Sequence, residues 1–460
     1  MSEIVVSTRP TPGDPRRYLF PAFERTRLSN GLTVIAVPVP GRPLVTASLV
    51  LRNGAVDEAA AHAGATVLAA RALSEGTQRF DAIALVEAAE RLGASIHAEA
   101  GWDSMSAGVE VPAARLEPAL DLLAEMIAEP TFPSFEVERL RDERLNDLLQ
   151  ARADPRRRAD EAFVDAIYTA DSPYHRPAGG LRETVEPLAA DDLRRAWARG
   201  MDPARITLVV GGDLGGVDVA GIAERLFAGW RTALGVVGAS PIVAEAALTS
   251  RLVRFIHRPG AVQTEIRIGH PGVPRRTPDY PAISVMSTIL GGLFNSRLNR
   301  NLREDKGYTY GAGAGFDMRR AAGPFVARAA VNTEVTVPAI REMLLELDRL
   351  RSERVADDEL RAARDFLIGV FPLRFETPGP VVGSIAGLVV HDLPDDELAT
   401  YRSRIEAVTR EDVWAAARER IDLDRAGIVL VGDADAIEGG APLEEFGPLE
   451  VLRDEDPTSG

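Results

Sequence analysis

Cysteine is absent from the 460 residues, which excludes disulfides, thiolate nucleophiles and zinc held by sulfur. Histidine is scarce: the six are His62, His97, His175, His257, His270 and His391, and no two lie within five residues of each other. A local two-histidine metal clip is therefore missing. Long apolar runs are missing as well, since none approaches the roughly 18 residues needed to cross a bilayer. Met1–Arg17 contains no basic stretch followed by an apolar one. No signal peptide is expected, and the expected compartment is the cytoplasm. With a net charge of -16 and no basic cluster that would balance a phosphate backbone, neither nucleic acid nor a membrane surface is an expected partner. An acidic chain would favour basic peptides, although net charge mainly governs solubility.

What is present is the balance of a soluble globular protein, 45% hydrophobic and 27% charged, in a chain long enough for several domains. The chain also repeats itself. Asp191–Asp213 aligns without a gap on Glu411–Asp433: Asp192, Ala196, Asp202, Arg205, Val209, Gly212 and Asp213 recur as Asp412, Ala416, Asp422, Arg425, Val429, Gly432 and Asp433. Both stretches predict a helix opening on an acidic pair, a short apolar strand (Ile206–Val210, Ile428–Val431) and a Gly-Asp turn. Apolar periodicity predicts further strands at Leu32–Pro38, Val45–Arg52, Ser95–Ala100 and Ser104–Val111. In the second half strands are expected at Leu252–His257, Thr264–Gly269, Tyr308–Phe316 and Pro324–Val331. Helical spacing falls between them in both halves, at Ala61–Leu73, Ala82–Leu92, Ala114–Ile127, Ser134–Ala151, Pro278–Leu290, Val337–Leu350 and Asp357–Leu373. The expected fold class is α+β: two homologous domains, each a mostly antiparallel sheet with helices on one face. The domains are expected at residues 1–233 and 251–460. Residues 234–250, rich in Ala, Gly and Val with few charges, read as the linker between them.

The most specific stretch is Gly292–Tyr310, GLFNSRLNRNLREDKGYTY. Asn295 or Ser296 can cap a helix, Leu298 and Leu302 lie one turn apart on its apolar face, and Gly307 is placed to end it in a left-handed conformation. A strand from Tyr308 would set Tyr308, Tyr310, Ala312 and Ala314 on one face and leave glycines on the other. The alternating glycines follow a helix and open a strand, the reverse of a dinucleotide fingerprint, so nucleotide binding is excluded. Gly-x-x-x-Ser-Arg-Leu, then Leu-Arg-Glu, then Gly-x-x-Tyr resembles the C-terminal-half signature of the insulinase/pitrilysin peptidases, mitochondrial processing peptidase among them. The resemblance extends over nearly the whole chain, from the Leu-Ser-Asn-Gly-Leu-Thr-Val opening at Leu28. It implies that Arg303 and Tyr310 form a substrate-binding pair, and that the two domains hinge into a clam-like half-shell which closes a chamber with a second such chain.

The family's catalytic members carry H-x-x-E-H on a helix, two histidines one turn apart holding zinc and the glutamate serving as general base. The matching segment runs Gly64-Ala-Thr-Val-Leu-Ala-Ala-Arg-Ala-Leu-Ser-Glu-Gly-Thr77. The resemblance puts the ligand positions on Val67 and Arg71, the base position on Ala70 and the third ligand on Asp147, with Asn146 as the alternative register. None of Val67, Ala70 and Arg71 can do that chemistry. Elsewhere, His97 and Glu99 share one side of a predicted strand, which reads as the polar face of an edge strand rather than a weak metal site. In the family that strand, preceded by Leu92-Gly93-Ala94-Ser95, pairs with substrate. Ser95 and His97 are therefore candidate substrate-binding residues by edge addition of a peptide. The run Arg156-Arg157-Arg158 reads as a solvated helix face neutralised by Asp154, Asp160 and Glu161, and Trp197 and Trp414 read as packing residues.

Three functions follow from these residues. The resemblance implies first that the chain is the substrate-binding subunit of a heterodimeric zinc endopeptidase, with no cofactor of its own, zinc in a homologous H-x-x-E-H partner, and peptides as substrate. Alternatively it is an inactive peptidase-like scaffold, or a homodimeric peptide-binding protein. Taken singly, Arg303 could serve a surface ion pair and Tyr310 a core contact. The complete motif favours the first function, since a scaffold has no need of that pair at that spacing.

Overall fold

The computed structural model describes Gly13 and residues 17–232, 241–438 and 443–453. The expected domain junction, with residues 233–240, lies outside the described residues, as do both outer domain limits. Two six-stranded mixed sheets organise the molecule. The first contains β1 (Glu24–Arg27), β2 (Thr33–Pro38), β3 (Leu44–Leu51), β4 (Ser95–Ala100), β5 (Met105–Pro112) and β6 (Ile206–Gly212), in the order β1-β2-β6-β3-β5-β4. The second contains β7 (Leu252–His257), β8 (Gln263–Pro271), β9 (Ala312–Phe316), β10 (Pro324–Asn332), β11 (Gly427–Gly432) and β12 (Leu449–Arg453), in the order β12-β7-β11-β8-β10-β9. Strand for strand, β2-β6-β3-β5-β4 and β7-β11-β8-β10-β9 are equivalent. In each, one parallel pair (β2 with β6, β7 with β11) lies beside antiparallel neighbours.

The helices that matter below are α1 (Ala65–Ala72), α2 (Ala82–Leu92), α3 (Leu116–Ala128), α4 (Ser134–Ala153), α5 (Pro155–Ile167), α6 (Ala190–Gly200), α7 (Thr336–Ser352), α8 (Pro378–Val390) and α9 (Arg410–Arg420). The internal repeat becomes α6–β6 and α9–β11, and the acidic pair opening each helix has a concrete task. Asp412 accepts the Thr409 N–H (2.8 Å) while Thr409 Oγ1 accepts the Asp412 N–H (3.2 Å). Asp192 accepts the Ala189 N–H (3.0 Å) in the same way.

Most helices lie on one face of their own sheet, as expected, but the second face is not left to solvent. Strands β6 and β11 are buried at every position, so both faces need cover. The cover is exchanged between the halves. Helix α5, from the first half, sets Ala159, Phe163 and Ile167 against Ile256, Val429 and Val431 of the second sheet. Helix α8, from the second half, sets Val381, Val382 and Ile385 against Ile35, Val37 and Val209 of the first. Glycines permit the close approach: a Cβ on Gly211 would lie 2.7 Å from Val382, and one on Gly269 2.9 Å from Phe163. The two edge hairpins also meet. Arg319, after β9, stacks its guanidinium 4.6 Å from the rings of both Trp102 and Tyr174, and Tyr168 Oη donates to Ala322 O (2.8 Å). The described part of the linker is tied down, with Ala247 N donating to Ile167 O (2.9 Å) and Thr169 N to Glu245 O (3.1 Å). No described helix is long and apolar enough to cross a membrane.

One expected strand starts late. The segment Tyr308–Phe316 enters the sheet only at Ala312. Thr309 Oγ1 sits 2.7 Å from Ala330 O, the carbonyl a longer strand would have used, and accepts the Gly311 N–H (3.1 Å). Tyr308 and Tyr310 therefore do not share a pleated face: Tyr308 packs against the core and Tyr310 stands in solvent.

Candidate substrate site and degenerate metal site

Helix α1 starts at a corner only glycine tolerates. Gly64 has φ +98°, and a Cβ there would lie 2.7 Å from Gly179 O. Its N-terminal amides are held by a buried carboxylate: Glu58 accepts from Gly64 N (2.9 Å) and Thr66 N (2.5 Å), with Arg176 3.8 Å away. Burial raises the Glu58 carboxyl above its ordinary range.

From this start, α1 carries Val67, Ala70 and Arg71 past α4. Val67 is half-buried and Ala70 wholly buried. Arg71 Nη2 lies 2.7 Å from Glu143 Oε2 on α4. Glu143 is in turn bridged to Arg139, which also reaches Glu75 (2.8 Å) and Glu136 (2.8 Å). Hydrogen bonds from Arg139 and Arg71 hold the Glu143 carboxyl below its usual range. Asp147, one turn further along α4, binds Arg157 (2.8 Å) and Arg144, and is held low mainly by Arg157. The acid facing Arg71 is thus Glu143, which the sequence reading did not single out. The donor set does not suit zinc. A guanidinium and an aliphatic side chain stand at the positions that the resemblance assigns to histidine, and both neighbouring carboxylates are bonded to arginines. Among the described residues one His/Asp/Glu group has metal-like spacing, His257 with Asp433 and Asp435. It lies on the second sheet, where His257 Nδ1 accepts the Ala434 N–H (3.2 Å) and Asp435 pairs with Arg453 (2.6 Å).

Beside α1 runs β4, the terminal strand of its sheet. Ile96, Ala98 and Ala100 turn toward the helical layer, so Ser95, His97 and Glu99 point the other way, into a groove of about 560 Å3 between the sheet and α8. The His97 ring lies over Gly108, where a Cβ would sit 2.5 Å from it. The structure therefore brings the β4 backbone to the degenerate metal position, while Ser95 and His97 open on the opposite face.

Arg303 and Tyr310 lie in the second half. The helical turns Arg297–Asn299 and Arg300–Asp305 follow Ser296, and Gly307 (φ +66°) ends them as expected. Ser296 stands at the cap position, but its hydroxyl makes no capping bond there and receives Asn299 Nδ2 (3.3 Å) instead. Arg303 stacks 4.3 Å over the Phe294 ring and lies 3.6 Å from Glu304. It rims a cavity of about 490 Å3 against β8, β9 and β10. Tyr310 is 91% exposed and lies beyond the residues that line that cavity. The same cavity is lined by Arg156, Arg267 and Arg328. Arg156 had been read only as part of a solvated run. Arg267, an arginine set between Ile266 and Ile268 on β8, was the legible signal.

Profiles of known families match both halves: "Insulinase (Peptidase family M16)" over residues 33–177 and "Peptidase M16 inactive domain" over residues 187–367. The chain belongs to the insulinase (M16) peptidase family. Among its M16 relatives is an uncharacterized zinc protease of Streptomyces coelicolor, 26% identical over 86% of each chain. Another is YmxG of Helicobacter pylori, described as a non-peptidase homolog and 22% identical over 76% of this chain and 80% of its own. The solved structure of a peptidase M16 inactive domain from Pseudomonas fluorescens superimposes with a TM-score of 0.82 at 25% identity, covering 90% of this chain and 98% of the other. A protease from Helicobacter pylori shares the fold at a TM-score of 0.80 and 18% identity, covering 89% and 99%. Within the M16 family this chain is a member whose sequence contains no H-x-x-E-H.

Proposed function

We propose that this chain is the substrate-binding, metal-free half of a heterodimeric zinc endopeptidase, working in the cytoplasm with an M16 partner that carries H-x-x-E-H. The observation that carries the reading is Tyr310. It is a large aromatic side chain, 91% exposed, with no hydrogen-bond partner among the described residues, in a chain whose other tyrosines are largely packed away. A phenol held in solvent contributes nothing to this chain's core, but is available to meet a peptide in a chamber closed by another subunit. The partner's zinc supplies the activated water. This chain's part is to hold the peptide: the planar, always-charged Arg303 guanidinium suits backbone carbonyls near the scissile bond, and the Tyr310 hydroxyl donates to the carbonyl oxygen on which negative charge develops. Ser95 and His97 on the β4 edge strand are assigned to peptide contacts further from the reacting bond.

The name of the non-peptidase homolog supports a second reading, an inactive scaffold. Two measurements separate them. Dialysed protein assayed for metal should contain no stoichiometric zinc and cleave no peptide. Mixed with an H-x-x-E-H homologue from the same organism, it should form a one-to-one complex that is active where neither subunit alone is. A homologue fully active by itself, or one that never associates, would leave the scaffold reading standing.

A further inference from the structure

The two halves build the same groove with opposite charge. In each sheet the groove lies between the three strands at one edge and the helix lent by the other half. The register makes the grooves superimposable: Ser48, Gly108 and His97 are aligned across β3, β5 and β4, as Arg267, Arg328 and Gly313 are across β8, β10 and β9. In the first half glycine stands on β5 and the edge strand carries the side chain. In the second half this is reversed, and Arg328 reaches out over Gly313, where a Cβ would lie 3.8 Å from its Nε. The N-terminal groove is lined by Glu99 and Glu110 and by no arginine or lysine. The C-terminal one is lined by Arg156, Arg267, Arg303 and Arg328 against Glu265 alone. The fold does not require this positive charge, because the same architecture is acidic in the other half.

The charge is also uncommitted. Buried Arg267 is satisfied by Asp160 (2.6 Å) and Glu265 (2.8 Å) and forms a fixed wall. Arg156 and Arg328 are exposed and have no carboxylate partner among the described residues, and Arg303 has only the 3.6 Å approach of Glu304. Two unpaired guanidinium groups and Arg303, held only by the 3.6 Å approach of Glu304, line one concave surface in a chain of net charge -16 and form a local reversal of field that favours anionic groups.

We infer that the cavity bounded by Arg156, Arg303 and Arg328 is a subsite for a peptide carboxylate, so that the substrates held by this chain are acidic near the cleaved bond or at their C-terminus. This rests on the peptide-binding role proposed above, deepens it to a substrate class, and runs against the basic-peptide preference that net charge alone suggests. The probe is a fluorescein-labelled, amidated ten-residue peptide with two central glutamates, compared with its Gln-Gln twin and with the Gln-Gln peptide ending in a free carboxylate. Binding to the isolated full chain is read by anisotropy at low and high salt.

The Glu-Glu peptide should bind about 10-fold more tightly than Gln-Gln at low salt, with the gap narrowing at high salt. Tighter binding of the free-acid peptide instead would identify the C-terminal carboxylate as the occupant. In the Arg156→Gln/Arg328→Gln double variant, with unfolding temperature unchanged, the preference should vanish, and Arg328→Glu should reverse it toward a Lys-Lys peptide. Equal affinities for all three peptides, or a preference that survives the double variant, would overturn the assignment. Because no partner is present in this assay, such a result would leave the heterodimer reading untouched. Conversely, failure to pair with an H-x-x-E-H subunit would not alter these affinities.

Discussion

Single side chains set how this protein responds to acid. His270 is buried on β8 with both ring nitrogens used: Nδ1 donates to Pro271 O (2.8 Å) and Nε2 accepts the Asp422 N–H (2.9 Å). That arrangement is the neutral tautomer. Protonation would set an N–H against the Asp422 N–H, and burial lowers the imidazole below its ordinary value of 6.5. A base whose folded pKa is depressed stabilises fully above the unfolded value and loses that contribution as pH falls toward the folded one. Unfolding temperature should therefore decline as pH drops below about 6.5, and His270→Gln should flatten that decline. An unchanged slope in the variant would assign the acid sensitivity elsewhere. His391, at the C-terminal end of α8, is pushed to about 4 by burial and by Arg275 and Arg320, and has the same sign. The residue scale was also where sequence reading reached least far. The lack of any H-x-x-E-H was legible because that motif is local. The partner of Arg71 was not, because Glu143 approaches from another helix and spacing cannot rank it against Asp147.

At the scale of elements, most strands and helices were legible from alternation and helical spacing, and the α6–β6 and α9–β11 repeat was visible as an identity pattern. The strand expected from Tyr308 begins only at Ala312, because a threonine hydroxyl takes over a ladder carbonyl. The expectation of helices on one face was incomplete for a different reason. Strands β6 and β11 read as continuous apolar runs, which announces burial on both faces, but nothing local says that the covering helix comes from the other half of the chain. The exchange has a measurable consequence. Phe163 belongs to the first half by sequence and to the core of the second sheet by packing. Phe163→Ala should cost about 3–5 kcal/mol, and should do so through one unfolding transition for the whole molecule. Two separated transitions, with only the first half destabilised, would contradict the interlocked packing.

At the scale of the whole molecule, two similar half-units differ in the charge of their grooves. The first sets an Arg71–Glu143 ion pair between α1 and α4, with a terminal strand beside it. The second presents Arg303 and Tyr310 from a turn that ends before its sheet begins. Neither arrangement makes a complete active site, and the account stands or falls on whether residues of a metal-free chain govern turnover at a partner's metal. The direct measurement is steady-state cleavage by the reconstituted heterodimer carrying Tyr310→Phe, with assembly and partner zinc content checked in the same preparation. Loss of one oxyanion donor predicts a kcat about 100- to 1,000-fold lower, whereas Arg303→Ala in the same assay should act mainly on KM. A Tyr310→Phe heterodimer with full zinc that cleaves at the wild-type rate would show that the tyrosine is not part of the site, and would contradict the claim that the two chains share it.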